Sequence, residues 1–302
     1  MNLLPDPDGY DAWYDAQYDA RAGITEQAAI RQSWVDRSRK ARATLPCQLD
    51  LAYGHHRSER LDIFGGRATR SQAVHNGQRL RGGAPVLVYI HGGYWRALDK
   101  SDQSFVATPF VDAGALVVLP NYALAPTVSV RHIVLQMVQA LAWVFRNIAE
   151  HGGDPHRITV AGHSAGGHLA TMMLAVHWPS VGADLPRQLL QAALSVSGLY
   201  DLEPLRHAPF LASDLKLTAA EARALSPAFM PAPEQGRLVA VTGADESAEF
   251  LRQNSLIRQA WGASAVPVCQ TLPARHHMNV LHDLAEPGSR LHSLAKGLLG
   301  LD

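Results

Sequence analysis

The chain has 302 residues, of which 47% are hydrophobic and 18% are charged, a balance that argues against intrinsic disorder. Its 27 basic and 27 acidic residues cancel, so it lacks the basic excess with which nucleic-acid-binding domains attract phosphate. The two cysteines, Cys47 and Cys269, are too few for a disulfide framework and lack the spacing of a zinc site. We therefore expect no nucleic-acid partner and no metal.

The first 45 residues predict amphipathic helices, because Trp13, Tyr14 and Tyr18 recur at helical spacing. We expect residues 1–45 to be a helical extension that docks onto the main domain, with the roof of a pocket as the alternative role. This stretch lacks the pattern of a secretory signal, and no run of about 18 apolar residues exists. We expect a cytoplasmic protein without a membrane span; the sequence leaves open whether it forms a homodimer.

Residues 46–302 predict a single α/β domain. Alternating segments within 47–64 indicate an antiparallel hairpin, and the Gly- and Arg-rich stretch 65–84 indicates a long surface loop. Six later segments read as strands buried on both faces; they are 85–90, 115–122, 157–162, 191–200, 237–243 and 266–273. Helical patterns alternate with these strands, so we expect a mostly parallel sheet covered on both faces, with its site beyond the carboxyl ends of the strands.

One segment interrupts the alternation of strands and helices. Residues 201–236 are rich in proline and long for a connection between strands. We expect a helical excursion over the top of the sheet, which can form the wall or lid of a pocket.

The segment from Gly162 to Gly166 reads Gly-His-Ser-Ala-Gly and lies between a predicted strand and a predicted helix. A sharp turn at this point forces a strained backbone onto Ser164 and exposes its hydroxyl, and side chains two residues to either side would collide. The following helix directs its N-terminus at the serine, which favours a developing negative charge. We therefore predict that Ser164 is a nucleophile, with His163 beside it as a substrate contact.

A second motif, "YIHGGYW" at 89–95, follows another buried strand and matches the loop that supplies oxyanion-binding amides in esterases and lipases. We expect the backbone N–H groups of Gly92, Gly93 and Tyr94 to join that of Ala165 in holding a negative oxygen. His91 is expected to brace the loop. Tyr94 and Trp95 are expected to contact substrate, with packing of the loop as the alternative for Trp95, and Tyr200 completes the expected substrate contacts.

A serine nucleophile of this type needs an acid and a histidine later in the chain. Asp245 and Glu246 follow the fifth predicted strand, and neighbouring side chains diverge, so only one carboxylate should reach an imidazole. Glu246 is favoured over Asp245 because such acids often lie three residues after the glycine that ends the strand. Of the adjacent histidines, we favour His277 over His276 because an apolar stretch directly follows it.

The segments "HGGYW", "NYALAP", "DPHRITVAGHSAGGHLA" and "SGLYDLEPL" together resemble the α/β-hydrolase superfamily, and within it the hormone-sensitive-lipase-like esterases. The segments "GADESAEFLRQ" and "HHMNVL" are similar to the arylformamidase (kynurenine formamidase)-like branch, in which the acid position falls on Glu246. The resemblance covers about residues 45–300. It implies a carboxylesterase or amidase with Ser164 as nucleophile and a small ester or formamide as substrate. Acyl transfer of this kind needs no metal or organic cofactor, so we expect none. An acyltransferase and a non-catalytic ligand-binding protein on the same fold are the alternatives.

Overall fold

The computed structural model describes residues 10–66, 74–75, 78–79 and 83–301. The predicted surface loop at 65–84 therefore lies mostly outside the described residues. Within the described ranges, none of the helices combines the length and the apolar character that crossing a bilayer requires.

The core of the fold is an eight-stranded sheet. Its strands are β1 (Cys47–Ala52), β2 (Arg60–Phe64), β3 (Ala84–Ile90), β4 (Leu116–Pro120), β5 (Gly153–His163), β6 (Leu190–Val196), β7 (Arg237–Gly243) and β8 (Val268–Leu272). They occur in the spatial order β1-β2-β4-β3-β5-β6-β7-β8. Strands β1 and β2 form the predicted antiparallel hairpin, β2 also pairs antiparallel with β4, and the remaining pairs are parallel.

Helices cover both faces of this sheet. They are α1 (Tyr10–Tyr18), α2 (Gln27–Thr44), α3 (Ala107–Asp112), α4 (Val130–Asn147), α5 (Ala165–Leu174), α6 (Trp178–Val181), α7 (Pro209–Leu215), α8 (Ala219–Ala224), α9 (Ala248–Ala265), α10 (Val280–Leu284) and α11 (Arg290–Leu299). Along β3, Val86 and Val88 pack into one hydrophobic cluster, whereas Leu87 and Tyr89 pack into another. Alternate residues of a strand point to opposite faces, which explains why β3 is apolar at every position.

The N-terminal extension is helical, as predicted, and it docks against two parts of the domain. The Tyr18 hydroxyl at the end of α1 donates to Glu249 of α9 at 2.7 Å. Along α2, Arg42 forms an ion pair with Asp62 of β2, and the buried Lys100 ammonium lies 3.0 Å from the same carboxylate. Because an unpaired buried charge is costly, this shared ion pair fixes α2 beside the edge of the sheet.

The predicted excursion at 201–236 is also helical. It contains α7 and α8 between two short 3-10 helices, Glu203–His207 and Pro227–Phe229. The excursion is tied to the loop after β3, because Arg96 pairs with Asp214 of α7 and donates to the Phe210 carbonyl oxygen.

A buried histidine makes the stability of this core dependent on pH. His168 lies fully buried in α5, and its Nε2 contacts the Leu225 carbonyl oxygen at 2.8 Å. Burial lowers the pKa of His168 to about 4, whereas an unfolded histidine titrates near pH ~6.5. The unfolded chain therefore takes up this proton first, so stability is complete above about pH 6.5 and declines as the pH falls towards 4.

We expect His168→Gln to remove this proton-linked loss, because its side-chain amide can still donate to the Leu225 carbonyl oxygen. Between pH 7 and about 4.5, the wild type should lose about 2.5 kcal/mol more unfolding free energy than the variant. Urea denaturation at a series of pH values measures both proteins. Parallel pH profiles for the two would show that His168 does not carry the effect.

Candidate active site

Ser164 occupies a sharp turn between β5 and α5. Its backbone has φ 57° and ψ −120°, a conformation that residues other than glycine rarely adopt. A Cβ atom added to Gly162 would lie 2.1 Å from the Gly166 carbonyl oxygen, and one added to Gly166 would lie 2.0 Å from the Ile90 carbonyl oxygen. The two glycines are therefore required by the close approach of backbone segments, as the sequence predicted.

Glu246 follows β7, and its buried carboxylate is surrounded by four hydrogen-bonding groups. Its Oε1 accepts hydrogen bonds from the Gly243 N–H at 2.8 Å, the Thr242 hydroxyl at 2.9 Å and the Ser197 hydroxyl at 2.5 Å. Its Oε2 lies 2.6 Å from Nδ1 of His277. The structure thus brings together the acid and the histidine that the sequence favoured, from loops that follow two different strands.

The charge state of Glu246 follows from these contacts. Burial acts to raise the pKa of Glu246, but the His277 charge and hydrogen bond, together with the bonds from Ser197 and Gly243, lower it below its ordinary value. An ionised carboxylate only accepts hydrogen bonds, so Nδ1 of His277 carries the proton. In the neutral ring, Nε2 is then free to accept a proton.

His163 supports the loop that carries His277. The two rings lie 4.6 Å apart between centroids, and Nε2 of His163 donates to the His277 carbonyl oxygen at 2.8 Å. Burial, assisted by the His277 charge, lowers the pKa of His163 to about 3. His163 is therefore neutral at physiological pH and acts as a fixed donor. It also borders the pocket, where a substrate contact was expected.

The loop after β3 has an unusual backbone. Gly93, Tyr94 and Trp95 have φ values of 105°, 50° and 56°, so three successive residues lie in the left-handed region. Within the described part of the chain, the N–H groups of Gly92, Gly93 and Tyr94 have no acceptor. A Cβ on Gly92 would lie 2.7 Å from the His163 carbonyl oxygen, which shows how closely this loop packs on the turn that carries the serine.

His91 braces this loop, as expected. Its Nδ1 lies 2.8 Å from the Gly92 carbonyl oxygen, and its Nε2 lies 3.0 Å from Oδ1 of Asn121. The ring stacks on Tyr122 at 4.2 Å. Burial lowers the pKa of His91, and the contacts of the ring make it a scaffold for the loop.

A pocket of about 170 Å³ opens above Ser164 and His277. The helical extension forms much of its wall. The extension therefore docks onto the main domain, as expected, and also borders a pocket, which was the alternative role. The bordering residues are Tyr18, Asp19, Ala20, Arg21, Arg31, Trp34, Gly93, Tyr94, Arg96, Ala97, Leu98, Gln103, His163, Ser164, Phe210, His277 and Met278.

Two expected substrate contacts are wrong. Trp95 is fully buried and packs edge-to-face on His168 at 5.0 Å, so packing of the loop, the alternative considered for it, is its role. Tyr200 is fully buried as well, and its hydroxyl donates to the Ser195 hydroxyl at 2.7 Å. Neither residue borders the pocket. A position beside a motif does not determine whether an aromatic side chain points into the core or into the pocket.

The alternative acid and histidine lie elsewhere. Asp245 is exposed, and its N–H donates to the Arg275 carbonyl oxygen. His276 turns towards the extension, where its Nε2 lies 3.0 Å from Oε1 of Glu26.

Sequence reasoning missed the polar residues of the pocket wall, above all Arg31 and Gln103. Arg31 lies three positions before Trp34 on a predicted amphipathic helix, and this spacing places both on one helix face. The three-residue spacing could therefore have identified Arg31 as lying on the same helix face as Trp34. No local pattern marks Gln103, which reaches the pocket through the packing of α2 on the segment after β3.

A model of the α/β hydrolase fold matches residues 87–237. This range includes the loop after β3 and the turn at Ser164. The chain belongs to the α/β-hydrolase fold family.

Named relatives extend the likeness beyond that range. Kynurenine formamidase of Danio rerio is 26% identical over 283 residues, which cover 92% of this chain and 89% of that protein. A crystal structure of a protein from Silicibacter sp. TM1040, provisionally named a thioesterase, is 30% identical with a TM-score of 0.77, and covers 92% of this chain and 97% of that one. The carboxylesterase EstE1 from a metagenomic library has a TM-score of 0.67 at 20% identity and shows the shared fold, covering 91% of this chain and 97% of its own.

We expect Gly166→Ala to destabilise the fold by at least about 3 kcal/mol, because the added Cβ would overlap the Ile90 carbonyl oxygen. Gly297→Ala is the matched control, since Gly297 lies in α11 and a Cβ added there would have open space around it. Alanine also favours a helix over glycine by about 1 kcal/mol. Chemical denaturation, or soluble yield if the first variant fails to fold, measures the difference. Equal stability of the two variants would contradict the close approach.

Proposed function

We propose that the chain is a serine hydrolase that cleaves a carboxylic ester or an aryl formamide of a small substrate through an acyl-enzyme. The observation that carries the proposal is the constellation around the pocket. Ser164, on its strained turn, borders the same pocket as His277, whose Nδ1 binds the buried Glu246 carboxylate. The names of the relatives, kynurenine formamidase and carboxylesterase, support the same chemistry.

In the first half-reaction, Nε2 of His277 accepts the proton of Ser164 while Oγ bonds to the substrate carbonyl carbon. The carbonyl oxygen becomes negative and receives hydrogen bonds from the N–H groups of Gly92, Gly93 and Tyr94 in the loop and from that of Ala165. Glu246 stabilises the imidazolium that has formed. His277 then gives its proton to the leaving oxygen or nitrogen, and the carbon–leaving-group bond breaks.

In the second half-reaction, a water molecule takes the place of the leaving group. His277 accepts a proton from this water as its oxygen attacks the acyl carbon, and the same N–H groups hold the second oxyanion. The bond to Ser164 breaks, and the serine recovers its proton from the imidazolium. The two steps release a carboxylic acid, or formic acid when the substrate is a formamide.

The two alternatives from the sequence are less favoured. A non-catalytic binding protein has no need of an ionised acid that fixes the tautomer of a histidine in the pocket. An acyltransferase would use the same residues with an alcohol or thiol in place of water, and added alcohols that divert the acyl group would reveal it. The cytoplasmic location stays a prediction from the sequence.

Ser164→Ala should abolish hydrolysis of p-nitrophenyl acetate and of N-formylkynurenine, because it removes the hydroxyl that forms the acyl-enzyme in the proposed reaction. Ser255→Ala, at a serine exposed on α9, is the matched control and should keep wild-type rates. A fluorophosphonate should label the wild type and Ser255→Ala but not Ser164→Ala. Full activity in folded Ser164→Ala would refute the assignment, and the wild-type ratio of kcat/KM for the two substrates decides between ester and formamide.

Glu246→Gln should lower kcat by about 10³- to 10⁴-fold, because a neutral amide neither fixes the Nδ1–H tautomer nor stabilises the imidazolium. Asp245→Asn removes the adjacent, exposed carboxylate and should leave kcat within about twofold of the wild type. Steady-state kinetics on p-nitrophenyl acetate measure both variants. A larger loss in Asp245→Asn than in Glu246→Gln would reverse the assignment of the acid.

A further inference from the structure

Three residues that border the pocket carry hydrogen-bond donors that the proposed reaction does not use. Arg31 and Trp34 lie three positions apart on α2 and therefore share a helix face. The Trp34 ring stacks on Phe105 at 6.3 Å, and Phe105 lies two residues after Gln103 in the 3-10 helix Lys100–Val106. Arg31, Trp34 and Gln103 all border the pocket. We refer to these three side chains as the donor cluster.

Two donors of this cluster have no acceptor. The Trp34 side chain is buried, and its Nε1–H has no partner among the residues that the structure describes. Gln103 is fully buried; its Oε1 accepts from the Tyr89 hydroxyl at 2.8 Å, but its Nε2 likewise has no partner there. A buried donor without an acceptor costs about 1–3 kcal/mol, so a pocket ligand that supplies acceptors relieves a real deficit.

Three arginines border the pocket, and two of them lie beside an acidic side chain. Arg96 pairs with Asp214, and Arg21 approaches Asp19 at 3.9 Å. Arg31 is exposed and has no ion pair or hydrogen bond to any residue within 10–66 or 83–301. The cluster therefore combines a free positive charge with two neutral donors.

We propose that the donor cluster binds a carboxylate carried by the substrate. This inference rests on the proposed function, since it names the class of ester or formamide that the hydrolase takes. A carboxylate only accepts hydrogen bonds and offers about four lone-pair sites, so it can satisfy Trp34 and Gln103 together. Its charge is matched by the arginine, whose guanidinium pairs with carboxylates through two parallel hydrogen bonds.

Matched substrates test this preference on both sides of the scissile bond. On the acyl side, mono-p-nitrophenyl adipate and suberate are compared with p-nitrophenyl hexanoate and octanoate. On the leaving-group side, 3- and 4-carboxyphenyl acetate are compared with phenyl acetate. The wild type should favour the anionic member of at least one pair by about 10- to 100-fold in kcat/KM, as expected for hydrogen bonds to a charged group.

Variants assign the preference to the cluster. Arg31→Gln and Trp34→Phe, which removes Nε1–H and keeps an aromatic ring, should each reduce the anionic-to-neutral ratio by about tenfold, mainly through KM. Arg39→Gln is the control, since Arg39 lies on the same helix but does not border the pocket, and it should keep the wild-type ratio. Calorimetric titration of Ser164→Ala with the anionic and neutral esters measures the same preference without turnover.

The outcomes separate the two proposals. Hydrolysis of neutral esters by Ser164 without any preference for the anionic partners, or an equal loss of preference in Arg39→Gln and Arg31→Gln, overturns the carboxylate site and leaves the hydrolase intact. Preferential binding of the anionic ester to Ser164→Ala, lost on adding Arg31→Gln, supports the site on its own. Absence of ester and formamide hydrolysis and of fluorophosphonate labelling at Ser164 overturns the proposed function, and the carboxylate site as a substrate site with it.

Discussion

The backbone contact between the start of α5 and the end of β3 is the constraint on which the rest of the site depends. Gly166 lies so close to the Ile90 carbonyl oxygen that any Cβ would collide with it. This approach bends the chain sharply at Ser164 and forces its φ to 57°. It also brings the loop after β3, with its N–H groups, next to the serine. The parallel pairing of β3 with β5 makes that approach possible, so the sheet positions both parts of the site together.

The second constraint on the site is that a charged carboxylate, that of Glu246, must be stabilised in the interior of the protein. Burial alone opposes ionisation of this carboxyl, yet three donors from Ser197, Thr242 and Gly243 saturate one oxygen, and the imidazole takes the other. The carboxylate is therefore paired and fully hydrogen-bonded, which is the condition under which a buried charge is tolerated. The same bonds fix the direction of Oε2, and hence the orientation of the imidazole that reaches the pocket.

The sequence predicted the parts of the molecule whose signals are local. The apolar run at 237–243 became β7 with the same bounds, and the Gly-x-Ser-x-Gly turn has the predicted backbone strain. The segment from Lys100 to Asp112 was not predicted as helical, because it lacks apolar periodicity and is stabilised by a capping box at Asp99 and by packing of α2. Trp95 and Tyr200 were misplaced because the direction of a side chain beside a motif depends on distant packing partners.

The pocket wall shows why the chemistry of such a protein is easier to infer than its substrate. The sheet and its loops carry Ser164, Glu246 and His277, the residues of the proposed reaction, and short sequence patterns mark all three. Much of the wall is built from α1, α2 and α7. These helices come from distant parts of the sequence and lie together only in the folded protein. Tyr94 connects the wall to the sheet, because its backbone lies in the loop after β3 while its hydroxyl donates to the Tyr18 carbonyl oxygen at 2.6 Å. The extension therefore contacts the loop beside Ser164 through Tyr94 and borders the rest of the pocket through α2. Under the proposed function, a change in this one segment alters both the rate and the selectivity of hydrolysis.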